Sequence, residues 1–490
     1  MSETYDIAVI GGGVNGAGIA RDAAGRGARV LLLEAGDLAC GTSSASTKLI
    51  HGGLRYLEHY AFALVRESLA EREALWAIAP HIIQPLRFVL PWRKGLRPRW
   101  MLRAGLFLYD HIGGRKRLPP TRSITLKSHS AGAPLRPGFG PAFEYSDGWV
   151  DDARLVVLNA MDARAHGADI HTRTPLTAAQ RQDGEWLLET PQGPFRARAL
   201  VNAAGPAVLD VLRLAGAPPD YKMRLVRGSH IVVRRLFDHP FAYFFQLADG
   251  RIFFAIPYER DFTLIGTTDV DHGGGKIAAS ADEIAYLCAG ANDYFAQAIT
   301  PADVVWSYAG LRPLLDDGSG RPEAATRGYR LDLSEPEDGA ALLSVYGGKI
   351  TTYRHLGEAA VDLLAPRCPA LTGKPWTREA PLPGGDFAID GLEALTTRYA
   401  ADHSFLTPAD AQRIARAYGT RAARWLGQAQ RWDDLGQHFG HGLSEAELRY
   451  LMAEEWAMRA QDVLWRRSKL GLRFDAEEVA VLTRYIASAQ

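Results

Sequence analysis

The sequence predicts an α/β fold: a parallel-sheet nucleotide-binding domain, interrupted by a second, antiparallel-sheet domain and followed by a helical tail. Three observations carry this reading. The first forty residues run strand, glycine turn, helix, strand. Strand-like runs return at 199–206 and 341–346, so the first sheet is assembled from distant pieces of chain. Beyond the Pro- and Gly-rich stretch Pro375 to Gly385, apolar residues recur at helical spacing to the end.

Each element has a local cause. Tyr5 to Ile10 is a short continuous apolar run, as a strand buried on both faces requires. Gly11, Gly13 and Gly16 then form G-x-G-x-x-G, and Ala17, Ile19, Ala20, Ala23 and Ala24 follow at helical spacing until Gly25 and Gly27. Arg29 to Leu33 is the second strand and delivers Glu34 at its end. Gly11 makes the tight turn, Gly13 lets the backbone reach a pyrophosphate, and Gly16 lets the helix lie close on the strand. The helix N-terminus offers N–H groups to phosphate, and Glu34 is placed to grip ribose hydroxyls. A carboxylate there selects an unphosphorylated ribose, hence FAD or NAD rather than NADP. Residues 199–206 end in small residues, Ala204 and Gly205, suited to close approach of a nucleotide. Between these two pieces lies the hydroxyl-rich, glycine-hinged loop from Gly41 to Tyr56.

Residues 222–270 read as an antiparallel sheet, with strands at 230–233, 241–247, 251–257 and 262–268 and a turn at Asp249-Gly250. In the tail, Ser444 and Glu447 form a capping box ahead of Leu448, Leu451, Met452 and Trp456, and Glu455 with Arg459 makes an i,i+4 pair. The resulting domains are 1–80, 145–215 and 300–375 for the nucleotide, 81–144 and 216–299 for the substrate, and 385–490 for the helices. The chain has 490 residues, too many for one core, and its 56 Lys+Arg balance 56 Asp+Glu, so no global field draws it to nucleic acid or membrane. Three scattered cysteines offer neither a disulfide framework nor a metal site, which suits a reducing compartment. The opening residues lack a basic n-region and no apolar run approaches a membrane span, so the protein is expected in the cytoplasm.

The segments GGGVNGAGIARDAAGRG, LACGTSSASTKLIHGGLRYLEH, FEYSDGWVDDARLV, RGSHIVV, IGTTDV, YAGLRPL and YGGKITTYR resemble those of the FAD-dependent, aerobic respiratory glycerol-3-phosphate dehydrogenases. This family sits in the D-amino-acid-oxidase-like flavoprotein superfamily. The resemblance implies a discontinuous Rossmann-like FAD-binding domain, and the FAD is expected to be non-covalent because no cysteine matches an attachment site near the ring, with His51 a conceivable exception. It places Gly11, Gly13, Asn15, Gly16, Glu34, Thr42, Ser43, Ser44, Ser46, Lys48, Leu49, His51, Gly52, Gly53, Ala204, Gly205, Gly310, Gly348, Lys349, Thr351 and Thr352 at the cofactor. It also implies that Arg55, Arg312, Arg327 and Lys349, with Tyr56, bind the phosphate and the carbinol oxygen of glycerol 3-phosphate. Arg and Lys beside glycine turns suit a dianion. His230, at the start of a chamber strand, is the preferred general base, and His51 could instead orient the ring. Thr268 and Asp269 are read as polar groups of the substrate pocket, and the helix start at Thr351 and Thr352 as a support for negative charge on the flavin. No metal site is expected.

No second glycine-rich nucleotide motif is present, so electrons are not expected to leave through NAD, and the resemblance implies a respiratory quinone. Residues 87–127 hold eleven Lys/Arg against one acid, Asp110, with Trp92, Trp100, Leu102, Phe107, Leu108 and Tyr109 interleaved. This is either a solvated basic loop or a surface that docks peripherally on the anionic inner face of the cytoplasmic membrane. Nucleic acid is not an expected partner. A homodimer is left open, and so are a glycerophosphate oxidase using O₂ and a D-amino-acid-oxidase-like enzyme.

Overall fold

The computed structural model describes residues 4–93, 97–114, 117–219, 221–247, 249–316, 328–335 and 339–489. Arg327 lies outside the described residues, as do Lys94, Arg115 and Lys116 of the basic segment.

The first sheet runs, in spatial order, Tyr329–Ser334, Ala341–Gly347, Phe195–Asn202, Tyr5–Ile10, Val30–Leu33 and Asp169–His171. All pair in parallel except Tyr329–Ser334, and a hairpin of Ala178–Gln182 and Glu185–Glu189 joins at Phe195–Asn202. Tyr5–Ile10 and Val30–Leu33 are buried throughout, as their unbroken apolar runs demand. The helices Val14–Gly25, Asp152–Ala165 and Tyr353–Leu364 pack on one another over this sheet, closing one continuous core. Gly16 lets the first of these helices lie close on its strand, since a Cβ there would collide with the carbonyl of Gly11.

The second sheet has ten strands, built on Val270–Asp271, Met223–Arg234, Phe262–Gly266, Ile252–Tyr258, Ala242–Gln246, Ile83–Pro91, Pro141–Val150 and Leu49–Ile50. Val304–Leu315 pairs with Met223–Arg234, and Arg122–Thr125 with Pro141–Val150. The four strands expected at 222–270 are present, but the sheet is mixed. Ala242–Gln246 runs parallel to Ile83–Pro91, a pairing across more than a hundred residues that no local pattern announces. Hydrogen bonding also places Pro141–Val150 and Val304–Leu315 in this sheet, although residues 145–150 and 304–315 were assigned above to the nucleotide domain.

The basic segment contains a helix, Arg99–Ile112, rather than a loop. It buries Leu106 and Tyr109 and leaves Trp100 71% and Phe107 57% exposed. The tail holds the helices Leu392–Asp402, Pro408–Tyr418, Glu445–Glu455 and Ala476–Ala489. Ser444 caps its helix by accepting the N–H of Glu447, but the Glu447 carboxylate turns to Arg413 and Tyr418 instead of completing a capping box. The expected Glu455–Arg459 pair is replaced as well. The helix ends at Glu455, Trp456 takes a left-handed φ of 55°, and the buried Glu455 pairs with Arg154 of the nucleotide domain. Among the described residues no helix is long and apolar enough to cross a membrane.

Candidate active site

The two sheets share one cavity of about 370 Å³. At one end the turn after Tyr5–Ile10 presents bare backbone at Gly11 and Gly13. Gly11 holds φ at +112°, and a Cβ on it would press on the carbonyl of Ala203. Glu34 accepts the N–H of Gly12 at 2.6 Å and of Gly36 at 2.7 Å, which fixes its carboxylate in the wall. Ala203, Ala204, Gly205 and Pro206 form the opposite side. A dinucleotide needs an anion-binding turn, a ribose acid and a small-residue shelf, and this end supplies all three.

The loop from Gly41 crosses from the first sheet to the edge of the second, where Leu49–Ile50 pairs with Pro141–Val150. Thr42, Ser43, Ser46, Thr47, Leu49 and His51 line the cavity along the way. Ser43 accepts the N–H of Val14 at 3.0 Å, tying the loop to the glycine turn. Lys48 behaves otherwise. It is fully buried, and its ammonium donates to both Asp152 oxygens at 2.8 and 3.0 Å, so it anchors the loop instead of lining the cavity. Ser46 donates to the same carboxylate at 2.7 Å, which fixes the backbone on both sides of Thr47.

The far wall comes from two paired strands. Val226 lies opposite Arg312, Gly228 opposite Gly310 and His230 opposite Tyr308, so these side chains share one face with period two. Gly228 and Gly310 leave that face bare, and the Arg312 guanidinium occupies the space where a Cβ on Gly228 would stand. Arg312 Nη1 donates to Asp269 Oδ1 at 2.8 Å and to the Thr268 carbonyl at 3.1 Å, and Nη2 donates to Thr267 Oγ1 at 2.9 Å. Asp269 and Thr268 thus orient the arginine. The Thr268 hydroxyl is turned away, donating to Glu283 at 2.7 Å.

The third wall is Gly347-Gly348-Lys349, with φ of +75° and +99° at the two glycines. Asn15 donates to the Gly347 carbonyl at 3.2 Å. Lys349 Nζ stands 3.9 Å over the Tyr56 ring, and both residues line the cavity. Thr351 lines it too, whereas Thr352 is buried just ahead of the helix Tyr353–Leu364. Arg55, Ser44, Gly16, Gly52 and Gly53 do not line the cavity.

The two candidate histidines differ. His51 is in the wall, its pKa pushed down to about 3 by burial and then by Lys349 and Arg72. His230 is 1% exposed and sits behind the wall, its ring stacked on Tyr308 at 4.8 Å in the space left by Gly266. Burial, then Arg312 and Lys48, hold its pKa well below the usual histidine value. Burial and the nearby cations therefore hold both rings in the neutral form. Among the described residues His230 is hydrogen-bonded to the cavity wall through Thr47, whose Oγ1 is 2.9 Å from Nε2. Sequence reasoning passed over Thr47 and Gly228. Thr47 sits in the hydroxyl-rich loop and could have been included, but nothing local marks Gly228.

Comparison with known proteins identifies the family. Residues 6–362 match the FAD dependent oxidoreductase family, and residues 375–489 match the C-terminal domain of alpha-glycerophosphate oxidase. A glycerol-3-phosphate dehydrogenase of Pseudomonas aeruginosa is 52% identical over 100% of this chain and 96% of its own length. A D-erythritol 1-phosphate dehydrogenase of Brucella abortus is 48% identical over 99% of this chain and 98% of its own. The glycerol-3-phosphate dehydrogenase of Bacillus halodurans, solved with FAD, superposes with a TM-score of 0.78 at 26% identity, covering 99% of this chain and 91% of that one. The chain belongs to the FAD-dependent oxidoreductases, within the family of the glycerol-3-phosphate dehydrogenases, and FAD is its cofactor.

Proposed function

We propose that the enzyme oxidises sn-glycerol 3-phosphate to dihydroxyacetone phosphate and passes the electrons to a respiratory quinone. The observation that carries this is Arg312, braced by Asp269 and Thr267 against the bare Gly228 wall of the FAD cavity. A guanidinium held in that way, with Lys349 across the same cavity, suits a phosphate dianion. Arg55 and Arg327 are further cations the substrate could recruit. Bound FAD supplies a two-electron hydride acceptor. The chain supplies the rest: Arg312 and Lys349, with Tyr56, bind the phosphate and the carbinol oxygen, and a neutral histidine takes the hydroxyl proton. The flavin is held non-covalently, so acid precipitation should leave its colour in the supernatant.

Access for a quinone, and attachment to the inner face of the cytoplasmic membrane, fit the helix Arg99–Ile112. Its exposed Trp100, Met101, Phe107 and Leu108 lie among Arg97, Arg99 and Arg103. The Brucella abortus relative favours a second substrate of the same class, D-erythritol 1-phosphate. Mixing the anaerobic enzyme with each polyol phosphate tests both readings. Fast flavin bleaching by glycerol 3-phosphate, but not by glycerol or D-alanine, is expected. Faster bleaching by the erythritol phosphate would transfer the assignment to it. Peroxide yield with and without quinone separates a dehydrogenase from an oxidase using O₂.

A further inference from the structure

The Thr47–His230 contact has more support around it than a structural hydrogen bond needs. Thr47 is flanked by Ser46 and Lys48, both fastened to Asp152. Tyr308 donates to the Ser46 carbonyl at 2.8 Å and stacks on the His230 ring. One side chain therefore sets both ends of the contact. The imidazole fits only because Gly266, opposite it in register, has no side chain. Its Nδ1 is buried with no hydrogen-bond partner among the described residues, so the ring's one directional polar contact leads to Thr47, and Thr47 leads to the cavity. A buried group left half-satisfied calls for an explanation beyond packing.

We propose that Thr47 is a catalytic residue of the carbinol oxidation. Its hydroxyl accepts the substrate's O–H proton and gives its own to Nε2 of His230. The proposal rests on the carbinol-phosphate reading given above. The step balances. The substrate O–H bond breaks, its electron pair becomes the carbonyl π bond, and the C–H pair leaves as hydride to the flavin. One proton remains on His230, with Thr47 unchanged. The tautomer required has its hydrogen on Nδ1, which leaves Nε2 as acceptor.

The charged groups facing His230 are Arg312 and Lys48, the latter paired with Asp152. With the site empty, the two cations disfavour imidazolium. A dianion on Arg312 offsets one of them, so substrate binding raises the proton affinity of the ring as the proton is offered. A hydroxyl that can donate and accept at once is needed at position 47. Serine meets this requirement and valine does not.

The test compares wild type, Thr47→Val, Thr47→Ser and His51→Asn as FAD-loaded full-length proteins, mixed anaerobically with glycerol 3-phosphate across about pH 5.5–9. Thr47→Val should slow flavin reduction on the order of 100-fold near neutrality, with a rate that rises with pH as solvent takes over the proton. Its flavin content and substrate affinity should stay close to wild type. Thr47→Ser should restore most of the rate. A readout independent of turnover is the ¹⁵N resonance of His230 in selectively labelled holoenzyme, which should move in Thr47→Val and return in Thr47→Ser. Near-wild-type reduction by Thr47→Val, with the loss falling on His51→Asn, would overturn the proposal in favour of direct transfer to His51. A pH-independent loss that serine does not repair would overturn it as mere packing. If the wild-type flavin is not bleached by glycerol 3-phosphate, the substrate reading has failed rather than the relay.

Discussion

Replacing Arg312 by alanine removes the guanidinium that binds Asp269, the Thr268 carbonyl and Thr267. Two losses follow. The substrate phosphate loses its forked partner, and Asp269, whose side chain is only 14% exposed, loses the guanidinium hydrogen bond that it accepts. Truncating one member of a desolvated, hydrogen-bonded charge pair costs about 2–5 kcal/mol. At about 1.4 kcal/mol per tenfold, kcat/KM for glycerol 3-phosphate should fall roughly 30- to 3,000-fold. Asp269→Asn in the Arg312→Ala background should recover part of the loss, because it removes the carboxylate charge that the guanidinium faced. Arg312→Lys should also recover part, because an ammonium restores charge but not the fork. Gly228→Ala, which pushes the guanidinium aside without deleting it, should raise KM in the same direction. The assay is anaerobic stopped-flow reduction of the flavin, with flavin content measured on the same preparations. Loss of flavin from Arg312→Ala, or an unchanged kcat/KM, would show that the arginine does not serve the substrate.

Gly13→Val should abolish flavin retention while leaving a folded protein. Among the described residues a Cβ at 13 meets only the Ser43 hydroxyl, but the side chain would stand where the pyrophosphate must lie. Circular dichroism together with flavin absorbance checks this. Burial alone would raise the pKa of Asp37, but Arg467 and Arg466 hold it below the ordinary carboxylate value. Its contribution to stability is thus complete above about pH 4, where the unfolded carboxyl is already ionised, and is lost as pH falls through the lower folded value. Urea midpoints of wild type and Asp37→Asn should therefore converge as the pH is lowered below about 4, and a gap that persists there would refute the sign. High salt should loosen the protein from anionic vesicles, and charge reversal at Arg97, Arg99 and Arg103 should weaken that binding while leaving dye-linked activity intact. Equal binding to neutral vesicles would move the attachment surface elsewhere.

The first forty residues could be read because every signal in them is local. Strand, turn, helix and acid lie within one chain segment, and the structure joins Gly11, Gly13 and Glu34 at one cavity. The cations Arg312 and Lys349 were found from the blocks that carry them. What stayed hidden depends on pairings between distant strands. The burial of His230 follows from Gly266 on one side and Tyr308 on the other, and the space for Arg312 follows from Gly228 on the paired strand. A period-two pattern shows which residues share a face but not which strand lies alongside. Lys48 misled for a related reason, since its partner Asp152 is a hundred residues away. Glu455 satisfied a local i,i+4 rule and was claimed instead by Arg154, 301 residues distant.

The turn that holds Glu34 continues to Asp37, and Asp37 is clasped by Arg467 at 2.7 Å through both oxygens and by Arg466. Arg467 is completely buried, and it also donates to the carbonyl of Glu455. Arg466 and Arg467 therefore complete a turn that lies 430 residues before Arg467 in the chain. During synthesis the nucleotide fingerprint emerges first, yet its acidic turn keeps an unmatched carboxylate until 466–467 arrive. Cofactor loading should accordingly wait until residues 466–467 have been made and have folded back. Ribosome-bound chains arrested near residue 450 should hold little flavin, and chains released at full length should acquire it; equal flavin on the two would separate the tail from the maturation of the nucleotide site.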